Sequence, residues 1–233
     1  MGTTFAEILT QWAMQDIDDV NWARELSENP AGFFRAKSDT LIMSIPQFSR
    51  PPEMQAWLKF TSPMYDSYTA TVDADKETGW TLDTGKTGYQ LCSGFLIEKG
   101  AHGSEIFTPL QCEYDSETGS VTVNMAAPAG SEVDLDFYTD GAFERELDGD
   151  QKRILGLCVG YQWYARFANN WLNLQPKIHD KTFDIASESA HMTAVSARMK
   201  ELRLDLDDAL LRYEQNCYYR QRMTQSMMLH APN

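Results

Sequence analysis

Glu132-Val133-Asp134-Leu135-Asp136-Phe137-Tyr138 alternates apolar and polar side chains. Successive side chains of a strand point to opposite faces, so Val133, Leu135 and Phe137 share one face and Asp134, Asp136 and Tyr138 the other. The pattern predicts a strand with one face in a core and one in water. Working back from it, short runs rich in aromatic and β-branched residues recur at 41–45, 57–60, 68–72, 89–97, 105–114 and 120–125. Two segments, Asp75-Lys76-Glu77-Thr78-Gly79 and Asp115-Ser116-Glu117-Thr118-Gly119, are near copies. Each ends in a glycine able to take positive φ, and each reads as a hairpin tip. Seven or so short strands in about 100 residues predict an antiparallel β-sandwich or a barrel. The pattern leaves the two open.

Outside this zone the period changes from two to three and four. Thr4-x-x-Glu7 forms a capping box, followed by an apolar stripe of Phe5, Ile8, Leu9, Trp12 and Ala13. Asp18-Asp19 interrupts it, and 22–26 reads as a second short helix ended by Asn29-Pro30. On the other side, Asp148 with Gln151 three residues on reads as another helix start. The run Ile154, Leu155, Leu157, Cys158, Val159, Tyr161, Trp163, Tyr164 and Phe167 is apolar on nearly every side, as in a helix buried all round. A loop with Pro176 follows. In a last helix, about 189–223, Val195, Met199, Leu202, Leu206, Ala209 and Tyr213 advance by four and three in a heptad-like seam. Such a helix is about 50 Å long, which hints that it reaches along a larger assembly. The chain thus reads as α+β: an N-terminal helical segment (1–38), a β-sandwich-like domain (39–146) and a C-terminal helical domain (147–233) built on a helical pair.

The chain has 233 residues and 42% hydrophobic side chains, enough for a sizeable core. Lys and Arg number 20 and Asp and Glu 34, a net charge of -14. That argues against non-specific duplex-DNA binding, which needs a basic face, and against adhesion to anionic membranes. The charge is uneven. Residues 1–150 hold 26 acids and 9 bases, whereas 151–233 hold 8 acids and 11 bases. No apolar run approaches a membrane span and no secretory signal is visible at the start. Cys92, Cys112, Cys158 and Cys217 lie far apart without a C-x-x-C and read as buried thiols in a reducing compartment.

Motifs for chemistry are sparse. There is no G-x-S-x-G, no phosphate-cradling Gly-rich loop and no H-E-x-x-H. His102, His179, His191 and His230 are scattered, and surface hydrogen bonding or capping explains them. Asp134-x-Asp136-x-x-x-Asp140-Gly141 resembles a calcium loop only faintly, because two of its acids sit on a strand. No carboxylate pair stands out from the 34 acids for glycoside cleavage. The expectation is no catalysis, no metal and no cofactor.

Asp136-Phe137-Tyr138-Thr139-Asp140-Gly141-Ala142-Phe143, then Leu147, Ile154-Leu155 and Trp163, resembles a segment of virion structural proteins of tailed bacteriophages. In that family a strand ending in a Y-x-D-G-x-F turn leads into a helix carrying a Trp. A D-x-x-F element follows, matched by Asp180 and Phe183. A Ser and a His then introduce the last helix, matched by Ser187 and His191, and an aromatic cluster lies near its end, matched by Tyr213, Tyr218 and Tyr219. Where the family has Pro after the Ser, this sequence has Glu188. The similarity covers roughly residues 133–219, with weaker agreement in the first helix.

The resemblance implies a neck or head-to-tail connector component between portal and tail. It would be a homo-oligomeric ring of twelve copies, assembled in the host cytoplasm and stacked against portal and other neck or tail proteins. DNA would pass it without specific binding, and no membrane is involved. An acidic surface suits such a channel. A ring interface joins two different patches. The expected patches are the helices of the C-terminal domain (Trp163, Phe167, Trp171, Leu202, Leu206) and the strands of the sandwich-like domain. Asp73, Asp75, Glu77, Asp115 and Glu117 at the two turns are the expected lumen or inter-ring contacts. Two other readings stay open: a sandwich that grips a host glycan or partner protein from a tail or baseplate, using Trp57 or Trp80, and an enzyme with an unmarked carboxylate pair.

Overall fold

The fold was described from a computed structural model. It describes residues 2–17, 20–100, 104–174 and 185–229, with the side chains of 20, 167, 170–174, 185–192 and 223–229 set aside. The chain forms α1 (Phe5–Glu7), α2 (Val20–Glu28), α3 (Pro30–Ser44), α4 (Met54–Trp57), β1 (Phe60–Thr61), β2 (Met64–Thr71), β3 (Trp80–Asp83), β4 (Gln90–Lys99), β5 (Glu105–Pro109), β6 (Cys112–Asp115), β7 (Ser120–Val123), β8 (Glu132–Thr139), β9 (Ala142–Phe143), α5 (Gly149–Leu174) and α6 (Ile185–Leu229). It is an α+β protein. It divides into two compact units, each discontinuous in sequence: residues 20–36 with 62–141, and residues 1–19 with 37–61 and 142–233.

The first unit holds two antiparallel sheets, in the orders β2-β8-β4-β5 and β3-β7-β6. Val72, Leu96, Val133, Leu135 and Phe137 from the larger sheet and its margin, with Val121 and Val123 from the smaller, form one buried cluster. Two open sheets closing over one core make a sandwich and not a barrel. β8 is its central strand, and the alternation at 132–138 places Val133, Leu135 and Phe137 in the core as expected. The outer face is wet at one end only. Tyr138 is fully buried, packed with Cys92, Ala31 and Phe34.

Two expectations from the sequence are corrected. Residues 41–45 are not a strand: 41–44 end α3, whose buried positions Ala31, Phe33, Lys37, Ser38, Leu41 and Ser44 recur at helical spacing, and Ile45 opens a 3₁₀ turn. Asn29-Pro30 starts that helix instead of only ending the one before it. The Asn29 Oδ1 accepts from the Gly32 N–H at 2.9 Å, and Pro30 occupies the first turn, where its missing N–H is harmless. The near-copy turns also differ. Residues 115–119 are a hairpin tip between β6 and β7, with Gly119 at φ 74°. Residues 75–79 connect β2 to β3, strands of different sheets, so they form a crossing between layers.

The second unit is mainly helical. From α1 the chain continues through a π-helical turn, Ile8–Trp12, and a 3₁₀ turn, Ala13–Gln15. Phe5, Phe60 and Phe143 pack ring against ring beside the small β1–β9 ladder, at centroid distances of 5.4 to 6.2 Å. Residues 154–160 of α5 are buried at every position, so the prediction of a helix enclosed on all sides holds over two turns. α6 runs 45 residues, about 68 Å at 1.5 Å per residue. Val195, Leu202, Leu206 and Tyr213 are buried along its seam, with Met199 and Ala209 half-buried. No helix among the described residues is long and apolar enough to cross a membrane.

Candidate interaction surfaces

Two of the five residues of the helical patch expected to meet a neighbour are internal. Leu202 and Leu206 are 0% exposed within the single chain, so they belong to its own core and not to an intersubunit surface. The reason lies in α5: its apolar positions need a cover, and the α6 seam supplies it. Trp163 is half-buried, with the Lys37 ammonium 4.4 Å from its ring centroid. The side chains of Phe167 and Trp171 lie outside the described residues. So do Asp180, Phe183, the side chains of Ser187 and His191, and His102, His179 and His230.

The five turn carboxylates are all exposed but do not form one group. In the β3-β7-β6 sheet, Trp80 and Cys112 both pair with Val123, whereas Asp83 and Asp115 both pair with Ser120. Residues 75–79 therefore enter at the Val123 end and the 115–119 hairpin turns at the Ser120 end. Asp73, Asp75 and Glu77 stand at one end of this sheet, Asp115 and Glu117 at the other. Two of them shape the backbone. Asp75 accepts from the Ala129 N–H at 2.7 Å. Asp115 accepts from the Glu117 N–H at 2.9 Å and the Thr118 hydroxyl at 2.8 Å, bonds that hold its carboxyl below the usual value.

Trp80 donates its Nε1–H to the Met125 carbonyl at 3.0 Å and packs on the sandwich core, whereas Trp57 is exposed and belongs to the other unit. The four thiols are free. Cys92 packs with Tyr138 on the outer face of the larger sheet, and Cys112 faces the core between the sheets, so these two do not meet.

Two exposed apolar surfaces escape a reading aimed at buried faces. The first is on α6. Leu204, Leu211 and Tyr218 are 70%, 43% and 57% exposed and seven residues apart, so they share one helical face. The seam of buried residues faces the other way. The carboxylates beside this stripe are each answered within the chain: Glu201 by Arg198, Asp207 by Arg203 and Asp208 by Arg212. Lys200 and Arg222 on the same face have no such partner among the described residues, so a cation without an ion pair stands beyond each end of the stripe. In the sequence these residues form a second heptad series, out of phase with the first, but packing alone decides which of the two is buried.

The second is the outer face of the larger sheet. Register places Thr71, Glu132, Ile97 and Phe107 in one row and Thr69, Asp134, Phe95 and Pro109 in the next. Phe95 and Phe107 are exposed, and Glu132 and Asp134 beside them have no basic partner among the described residues. The apolar rows open into a groove of about 580 Å³ lined by Glu28, Pro30, Leu91, Cys92, Phe95 and Pro109. Toward Tyr138 the face is closed by Arg35. Its guanidinium pairs with Asp136 at 3.2 Å and lies 5.4 Å from the Tyr65 ring, which stacks on Tyr138. β5 is an edge strand, so Phe107 stands at the border of the sheet. No protein-family model and no curated protein matches this chain.

Proposed function

We propose that the protein is a ring-forming structural component of a tailed-phage virion, a neck or head-to-tail connector part that surrounds the DNA channel. The observation that carries this reading is α6. A helix of 45 residues buries one seam, from Val195 to Tyr213, against its own chain and keeps a second apolar stripe, from Leu204 to Tyr218, exposed. Scattered exposed apolar residues need no explanation, but a heptad-spaced series does. The resemblance of residues 133–219 to virion structural proteins supplies the setting, and its twelve-fold ring supplies the copy number. The charge adds support. The sandwich unit holds 16 acids and 5 bases, a surface past which a phosphate backbone slides without binding. Portal and tail proteins would stack on the ring, and the chain would be found in the virion.

The test is the mass of the purified protein over a concentration series, with negative-stain images of the same samples. Closed rings near twelve subunits are expected. A monomer at every concentration overturns the self-assembling ring.

A further inference from the structure

We propose that the Leu204–Leu211–Tyr218 face of α6 docks onto the Phe95–Phe107 face of the larger sheet in a second copy of this chain. The inference rests on the self-assembly proposed above and assigns its two contact surfaces. Each face is apolar at its centre and exposed in the single chain, and the charges without an ion pair at the two faces are of opposite sign. Arg222 lies in line with the helical stripe, while Glu132 and Asp134 flank the sheet rows and Glu28 borders the groove. A single chain carries both halves of the complement, so no third partner is needed.

From Leu204 to Tyr218 the stripe rises about 21 Å, so it fits along β4, whose ten residues extend about 33 Å, and not across the strands. β8, β4 and β5 span about 10 Å across, at about 4.8 Å per strand, and the groove lengthens the apolar surface along β4. Gln215, Tyr218, Tyr219 and Arg222 line a concavity of about 470 Å³, into which a protruding ring such as Phe107, 57% exposed, fits. Aromatic and Arg side chains are the usual energetic centre of such contacts. Nucleic acid is disfavoured on the sheet face by its carboxylates. The contact is heterologous: each copy that docks its helix still offers its own sheet face, so further copies add head to tail until the rotation closes.

The test compares wild type with Arg222→Glu, Glu132→Lys/Asp134→Lys, the three changes combined, and Phe107→Asp. All these positions are on the surface, and far-UV circular dichroism checks that each variant folds. Assembly is followed by mass photometry and light scattering over concentration. Arg222→Glu and Glu132→Lys/Asp134→Lys are each expected to raise the concentration of half-assembly at least tenfold. The combined variant should return to within about threefold of wild type, and Phe107→Asp should remain monomeric. If wild type forms rings and the variants assemble as it does, or if the combination rescues nothing, the assigned surfaces are wrong and the ring reading stands. Charge-sensitive assembly that ends in open chains upholds the surfaces and overturns the ring. A monomer at every concentration, or assembly only with an added partner protein, overturns both.

Discussion

At the scale of single residues, the helical unit depends on close approaches that tolerate no added atoms. A Cβ at Gly156 would stand 2.8 Å from the Trp12 carbonyl carbon and 2.9 Å from its Cβ, where α5 crosses the π-helical turn. Gly156→Ala should therefore destabilise by about 1–3 kcal/mol, although alanine is the better helix former. A urea midpoint equal to wild type would show that the turn yields. Asp16, 5% exposed, receives both Arg153 guanidinium nitrogens, at 2.5 and 3.2 Å, and its own carbonyl accepts from Arg198 at 3.2 Å. The buried partner is the carboxylate, so Arg153→Met, which strands it, should cost more than Asp16→Asn, which leaves a half-exposed cation; the scale is about 3 kcal/mol. Burial also raises the Cys158 thiol far above its ordinary 9.0 and the Tyr213 hydroxyl above 10.0. Both groups hold their protons more tightly folded than unfolded. Their stabilisation is complete below about pH 9 and is lost as pH rises, with Cys158 contributing a slope of about 1.4 kcal/mol per unit. Urea unfolding at pH 8.0, 9.5 and 10.5 should show this decline, and Cys158→Ala should make it shallower.

At the scale of elements, helix starts decide how much of the fold is readable. The Asp148 box forms in full: the Gln151 N–H donates to Asp148 Oδ1 at 2.8 Å and the Asp148 N–H to Gln151 Oε1 at 2.9 Å. The other end of the same amide donates to the Tyr213 hydroxyl at 2.8 Å, tying the start of α5 to α6. Gln151→Ala removes both roles and should cost about 2 kcal/mol by chemical unfolding, against about 1 kcal/mol for Asn29→Ala at the start of α3. A loss at Gln151 no larger than at Asn29 would mean that the Tyr213 bond adds nothing. The Thr4 box is half made: Thr4 Oγ1 accepts from the Glu7 N–H at 3.2 Å, but the Glu7 carboxylate turns to Lys152. Strong local chemistry was thus legible: β8, α5 and the α6 seam all follow from periodicity and caps. α3 was not, because Pro30 reads equally well as a stop or a first turn, and Leu41-Ile42-Met43 is too short a run for its period to show. Nor could local pattern show that Tyr138, on the polar side of β8, is covered: that depends on where residues 30–36 pack. The same gap hid the candidate surfaces. Leu206 and Leu204 differ little as sequence, and only tertiary packing exposes the second and buries the first.

At the scale of the whole molecule, charge placement constrains how a ring would present itself to DNA. The carboxylates of residues 73–77 and those of 115–117 stand at opposite ends of the β3-β7-β6 sheet. Four-residue strands separate those ends by about 10 Å before the turns add their own reach. The Debye length at physiological ionic strength is about 8 Å, so a duplex that meets this sheet end-on is acted on strongly by one end only. Under the ring reading with the sheet end-on to the channel, one turn faces the channel and the other faces outward. Asp73→Lys/Glu77→Lys and Glu117→Lys, made separately in the phage, should therefore differ. One should lower genome delivery at least tenfold while the other leaves it within about twofold. Asp75 and Asp115 are kept in both, since their oxygens hold backbone N–H groups and their loss would disturb the turns themselves. Titre per particle, with particle yield counted by electron microscopy, separates delivery from assembly. Equal defects in delivery would mean that the strands lie along the channel and both ends face one lumen. Unchanged delivery in both would remove these carboxylates from the channel, and the acidic surface would then serve solubility alone.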